Sequence, residues 1–89
     1  MPVRSYRDLD MYTLSYNLAL EVDSMTRCLP RYEFAEEGRQ IRRSSKGIEA
    51  NIAEGYGRKR YRGDYVRFIV YALSSCDETT VHIEWHGLV

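Results

Sequence analysis

The sequence contains few of the residues that cross-link, interrupt or anchor a protein chain. Its 89 residues include two prolines, two histidines and two cysteines. Cys28 and Cys76 lie far apart and form no CxxC pair, so we predict free thiols in or near the core rather than a disulfide. No apolar run approaches the ~20 residues of a membrane span, and the polar start is no signal peptide. We therefore expect one cytoplasmic domain, residues 1–89, with no membrane partner.

The chain also has no net charge, since 13 basic residues match 13 acidic ones. The two signs are nevertheless separated along the chain. Residues 1–38 contain four basic and seven acidic side chains, and residues 68–89 contain three acidic and no basic ones. Residues 39–67 contain nine basic and three acidic side chains. This basic middle segment indicates a partner of opposite charge more clearly than the total does.

Strand-like alternation is absent, and apolar side chains instead recur at helical spacing. The first stripe predicts a helix from about Tyr6 to Cys28, with Ser5 and Asp8 as a capping box. Its apolar members are Met11, Leu14, Leu18, Val22, Met25 and Leu29.

Two further stripes predict two more helices. One runs from about Glu33 to Gly55 and carries Phe34, Ile41, Ile48 and Ile52, with small residues between them that permit close helix packing. The other begins after Asp64 as N-cap and carries a stripe from Tyr65 to Ile83. Short connections make such helices antiparallel neighbours. The predicted fold class is an all-α, antiparallel up-down helical bundle.

The basic segment is the main functional candidate. Four of its cations lie on the second predicted helix and four in the following loop, where Tyr56 and Tyr61 interleave with them. Guanidinium groups that bind phosphates and rings that stack on bases are typical of proteins that bind irregular or single-stranded RNA. A solvated helix face with local Lys46–Glu49 and Glu54–Arg58 ion pairs is the alternative. The eight candidate nucleic-acid-binding residues are Arg39, Arg42, Arg43, Lys46, Arg58, Lys59, Arg60 and Arg62.

Three other groups of residues are weaker candidates for a functional site. Asn51 and Glu54 could be a catalytic pair, but no nucleophile or histidine lies nearby in sequence, so polar packing groups are the preferred interpretation. Glu78, His82 and His86 recur every four residues, a spacing that can hold zinc, although a solvated face fits better because further ligands are lacking. Cys76 falls on an apolar stripe and is interpreted as a core residue. We predict neither a catalytic activity nor a cofactor.

Three stretches resemble a known family. They are Tyr6-Arg-Asp-Leu9, Gln40-Ile-Arg-Arg-Ser-Ser45 and Ala50-Asn-Ile-Ala-Glu-Gly-Tyr-Gly-Arg58. They are similar to four-helix-bundle proteins encoded within intervening sequences of bacterial 23S ribosomal RNA genes. The resemblance implies homo-oligomeric rings, typically pentamers, and a role with RNA or DNA. It also implies kinship with retroelement accessory proteins that work with a reverse transcriptase.

The sequence departs from that family at two places. Glu49 stands where family members commonly have a proline in the second helix, so a kink there is expected to be absent or weaker. The fourth helix of the family is also apparently missing, which would leave an apolar face for self-association. The resulting expectation is a non-enzymatic, oligomeric nucleic-acid-binding bundle. The alternatives are a protein adaptor, for example to a reverse transcriptase, and a truncated family member without activity.

Overall fold

Three long helices make up most of the protein, and a computed structural model describes them over residues 3–85. Helix α1 spans Asp10–Thr26 and helix α3 spans Arg62–Trp85. Helix α2 lies between them and consists of a short α-helical turn, Arg31–Glu33, a π-helical turn, Phe34–Gly38, and a regular α-helix, Arg39–Gly57. Within the described range there is no strand, so the predicted all-α class is confirmed. None of the helices found in residues 3–85 is both long and apolar enough to cross a membrane.

The predicted capping box forms, but it begins a shorter element than expected. Ser5 Oγ accepts a hydrogen bond from the Arg7 amide, and Asp8 Oδ2 accepts one from the Ser5 amide, both at 3.2 Å. These bonds close a single 3-10 turn, Tyr6–Asp8, after which Leu9 is extended. The prediction of one helix starting at Tyr6 is therefore wrong, because the backbone at Leu9 interrupts it.

The start of α3 also differs from the prediction. The helix begins at Arg62, so Asp64 lies inside its first turn and is not the N-cap. There Asp64 Oδ1 accepts a 2.9 Å hydrogen bond from Arg67. A carboxylate in the first turn still stabilises the positive end of the helix dipole.

The core lies along one face of α2, where the predicted stripe of isoleucines is buried. Ile41, Ile48 and Ile52 face inward, and both outer helices pack against α2. Helix α1 contributes Val22, and α3 contributes Ala72. Because this core is small, most of its free energy comes from a few side chains at about 1.5–3 kcal/mol each.

Two close approaches to α2 depend on glycine. A Cβ placed at Gly55 would lie 3.2 Å from Phe68 Cβ, and one at Gly47 would lie 3.0 Å from Ser75 Oγ. Helix α3 therefore packs directly against the backbone of α2 at both positions. The small residues on the stripe predicted the approach at Gly55, whereas Gly47 lies off that stripe and was not predicted. Near the same seam, the buried hydroxyls of Thr79 and Ser44 lie 2.8 Å apart and join the two helices.

Several residues predicted for the core are exposed instead. Leu14 is 70% and Leu73 61% exposed, and the predictions that Cys28 and Cys76 lie in or near the core are wrong, although both thiols are free. Leu14, Leu73 and Cys76 are exposed because of where their helices lie. They line an apolar groove of about 280 Å³ between α1 and α3, and nothing in residues 3–85 fills it.

A matched pair of glycine substitutions tests the close packing of α2 and α3. We expect Gly55→Leu to lower the free energy of unfolding by about 1–3 kcal/mol, because the added side chain meets Phe68 and the backbone of Tyr65. Gly57→Leu should leave stability unchanged or raise it by up to about 1 kcal/mol, since no atom lies within 4 Å of its added Cβ. Urea unfolding of both variants measures the difference. Equal effects would contradict the close approach at Gly55.

Candidate nucleic-acid interface

Three of the predicted cations form one exposed ridge on α2. Arg39, Arg43 and Lys46 are spaced by four and three residues, so they share the helix face opposite the buried isoleucines. Arg39 Nε donates a 3.2 Å hydrogen bond to the Ala35 carbonyl oxygen and stays exposed. Within residues 3–85, no acidic side chain lies within ion-pair distance of the other two. We call Arg39, Arg43 and Lys46 the helix ridge.

Arg42 does not belong to this surface, and its place among the nucleic-acid-binding candidates is not supported by its contacts. Its guanidinium donates to Thr26 Oγ1 at 3.1 Å and to the Phe34 carbonyl oxygen at 3.3 Å. It also lies over the Phe34 ring, 4.1 Å from the centroid. Thr26 is fully buried at the end of α1 and Phe34 begins the π-helical turn. Arg42 therefore joins α1 to α2 from a half-buried position.

Arg58 and Lys59 are exposed but already have partners. Arg58 forms ion pairs with Glu54 at 3.1 Å and Asp64 at 3.8 Å, and it lies over the Phe68 ring. The Glu54–Arg58 pair was one of the two predicted local ion pairs and is confirmed. Lys59 Nζ donates to the Tyr56 hydroxyl at 2.7 Å. Arg58 would have to give up its carboxylate partners to bind a phosphate fully, whereas the Lys59 ammonium keeps two donors beyond the one that is bonded to Tyr56.

The remaining two cations, Arg60 and Arg62, are exposed on either side of the exposed Tyr61. No acidic side chain in the described part of the chain lies within ion-pair distance of either arginine. We call residues 60–62 the cationic loop. It lies beyond the end of α2 at Gly57, and Gly57 is eleven residues past Lys46, or about 16 Å along the helix at 1.5 Å per residue. The predicted basic region is thus two patches rather than one.

A cleft beside the cationic loop was not predicted from sequence. Lys59 and Arg62 line it with the half-buried rings of Tyr56 and Tyr65, and Val3 and Leu9 complete the lining. Its volume is about 600 Å³, and it opens broadly to solvent. Tyr65 was assigned to the apolar stripe of α3. Its place in the cleft could have been found from the sequence, because Tyr65 lies three residues after Arg62, about one helical turn along the same face of α3.

The other polar candidates make local contacts. Asn51 Nδ2 donates a 2.8 Å hydrogen bond to the Gly47 carbonyl oxygen within α2. Glu49 forms no ion pair with Lys46, contrary to the sequence interpretation, and lies instead near Tyr12. Burial raises the pKa of the Tyr12 hydroxyl, and the negative charge of Glu49 raises it further.

The proposed zinc spacing on α3 is only partly described. His82 Nε2 lies 3.5 Å from Glu78 Oε2, and His86 is outside the described residues. From Val3 to Trp85, no group of three or more histidine, cysteine or acidic side chains is placed to hold a metal ion.

Fold and surface together define a small helical protein with a cationic face on the side of α2 opposite its apolar core. Comparison with known families gives this class a name. The chain belongs to the family of 23S rRNA-intervening sequence proteins, whose family model matches residues 7–86. Neither the curated proteins nor the solved structures contain a match.

Two neighbouring arginines provide a test of the surface assignment. Arg42→Ala should lower the free energy of unfolding by about 1–3 kcal/mol, because it removes a charged hydrogen bond to the buried Thr26 and a ring contact with Phe34. Arg43→Ala should change it by no more than about 0.5 kcal/mol, as expected of an exposed side chain. Urea or thermal unfolding measures both. Comparable losses of stability would contradict the assignment of Arg42 to an interhelical contact and of Arg43 to the exposed surface.

Proposed function

We propose that this protein is a non-enzymatic, oligomeric bundle of the four-helix-bundle type that binds RNA, or another nucleic acid, through the helix ridge and the cationic loop. One observation carries the proposal. Four exposed cations, Arg43, Lys46, Arg60 and Arg62, have no acidic partner within ion-pair distance among residues 3–85. They can bind phosphates without first breaking an internal ion pair.

Electrostatics and ring placement favour RNA with exposed bases. Phosphate contacts supply most of the affinity of such a complex, and unstacked bases can pack on aromatic rings. Tyr61 lies between Arg60 and Arg62, and the rings of Tyr56 and Tyr65 face the adjoining cleft. A duplex offers phosphates but no free base faces, so looped or single-stranded RNA makes fuller use of this surface. An RNA ligand of this kind also fits a cytoplasmic protein.

An anisotropy titration with labelled, looped RNA at about 50 and 200 mM salt tests the proposal. We expect binding that weakens steeply with salt. Replacing Arg43, Lys46, Arg60 and Arg62 together by glutamine should abolish binding at the higher salt. It should also flatten the salt dependence, by about 0.7 in log–log slope for each phosphate that is no longer neutralised.

The chain offers a control of equal charge. Four exposed arginines lie outside the basic segment, at Arg4, Arg7, Arg27 and Arg31. Replacing all four by glutamine removes the same charge and should weaken RNA binding much less. Equal weakening by the two quadruple variants would overturn the assignment of the surface. Absent or salt-insensitive binding would overturn RNA as the ligand and favour a protein partner, such as a reverse transcriptase.

The oligomer in this proposal rests on the outer face of α1. Tyr16 is 47% and Leu20 54% exposed, and they lie one turn apart on the same face. Their neighbours Thr13 and Asn17 are uncharged. Asp23, three residues after Leu20, is neutralised by its 2.9 Å ion pair with Arg27, so like-charge repulsion between two copies would be weak here. The Tyr16 ring also stacks on the Tyr12 ring, with 6.4 Å between the two centroids, and this contact helps to hold the exposed Tyr16 side chain in place. The family resemblance implies rings of five copies.

Sedimentation at micromolar concentration tests the self-association. We expect a mass several times that of the 10.5 kDa chain, with five copies as the expected number. Tyr16→Glu and Leu20→Glu should each shift the protein towards monomer, because a carboxylate would be buried without a partner in the interface. Val81→Glu, at a residue 62% exposed on the other outer helix, is the control. A monomeric parent protein, or an oligomer indifferent to both substitutions on α1, would contradict this interface.

A further inference from the structure

The apolar groove of about 280 Å³ between α1 and α3 has a lining that is almost entirely hydrocarbon. Ile48 and Ile52 of α2 form its floor. Met11, Leu14 and Leu18 form one wall, and Ile69 and Leu73 lie on the other. Only Ser15 and Cys76 interrupt the hydrocarbon lining. The wall residues recur over about two helical turns on each side, the dimensions of a helix-binding groove.

Both rims of this groove are acidic. On α1, Asp10 and Glu21 share the outer edge with Leu14, at four residues before it and seven after it. On α3, Asp77 and Glu84 continue the edge that begins at Leu73, at four and eleven residues after it. All four carboxylates are exposed. Neither residues 10–26 nor residues 68–85 contain a lysine or arginine. Arg62 of α3 shares the edge of Leu73, but it lies seven residues before Ile69, where the lining of the groove on this helix begins.

This charge pattern discriminates between possible occupants. Two copies that packed groove to groove would bring four carboxylates of each copy together around an apolar contact, and like charges at an interface are repulsive. The basic helix of a second copy is unsuitable as well. The apolar face of α2 is buried in its own core at Ile41, Ile48 and Ile52, so it presents cations without an apolar stripe.

We propose that the groove binds a cationic amphipathic helix of a partner protein. Such a helix would place apolar side chains at i, i+3 or i+4, and i+7 on the isoleucine floor, as helices in grooves do. Lysines or arginines on its two flanks would lie beside Glu21 and Asp77. The partner helix would then cover the groove, whose lining includes no residue of the helix ridge or of the cationic loop.

A labelled synthetic peptide is the probe. It has about 15 residues, enough to form a helix when bound, with leucines at the stated spacing and lysines on both flanks. The first control has the same composition in an order that disperses the leucines around the helix. The second keeps the leucines and replaces every lysine by glutamate. At about 0.15 M salt we expect the first peptide to bind and become helical by circular dichroism, and both controls to bind at least about tenfold more weakly.

Protein variants locate the binding site. Leu73→Glu should weaken binding of the peptide about tenfold or more, because the bound peptide would bury the new carboxylate among hydrocarbon groups. Val81→Glu is the matched control, with the same helix, the same added charge and nearly the same exposure of the original side chain, 62% against 61%. The double change Glu21→Lys and Asp77→Lys should reverse the preference in favour of the glutamate peptide. Circular dichroism of the free variants checks that each remains folded.

The outcomes separate this inference from the proposed function. Equal binding of the ordered and dispersed peptides, or equal weakening by Leu73→Glu and Val81→Glu, would overturn the groove as a helix-binding site. Dissociation of the sedimenting oligomer by Leu73→Glu would show that a second copy occupies the groove and would overturn the inference in another way. RNA binding by Leu73→Glu should stay at the parent level, since the change lies outside the helix ridge and the cationic loop. Loss of RNA binding with intact peptide binding would instead count against the proposed function alone.

Discussion

Over residues 3–85, both outer helices pack against helix α2, and the rest of the structure depends on that packing. In a chain of 89 residues the core can be only a few side chains deep, so one stripe of isoleucines must hold α1 and α3 together. The stripe can do so because Gly47 and Gly55 let α3 approach the α2 backbone. Bulkier residues at those levels would separate the helices and leave the hydrocarbon packing incomplete.

The same constraint separates the charges on the folded protein. Because Ile41, Ile48 and Ile52 turn one side of α2 inward, Arg43 and Lys46 on the other side must face solvent. Residues 10–26 and 68–85, from which lysine and arginine are absent, provide the two walls of the apolar groove. Although the protein has no net charge, it therefore has a cationic surface on α2 and, between α1 and α3, an apolar groove with acidic rims. The two surfaces therefore differ in both charge and polarity.

Arg42 and Arg43 are adjacent on α2 and look equivalent in the sequence, but tertiary contacts give them different roles. Arg42 and Arg43 differ by a rotation of about 100° around the helix. That rotation directs Arg42 towards Thr26 and Phe34, where it joins two helices, and leaves Arg43 without an ion-pair partner among the described residues. A π-helical turn at Phe34–Gly38 lies beside this contact. No local propensity in the sequence pointed to that turn.

The sequence by itself determined the three helices, the buried stripe of α2 and the position of the cationic segment, because apolar periodicity and charge spacing are local properties of a chain. Only the tertiary structure decided that Leu14, Leu73 and Cys76 are exposed and that Arg42 is half-buried in a contact with α1. Periodicity tells which side chains share a helix face. Whether that face is covered depends on where the neighbouring helices lie, and this is set by packing between residues far apart in sequence.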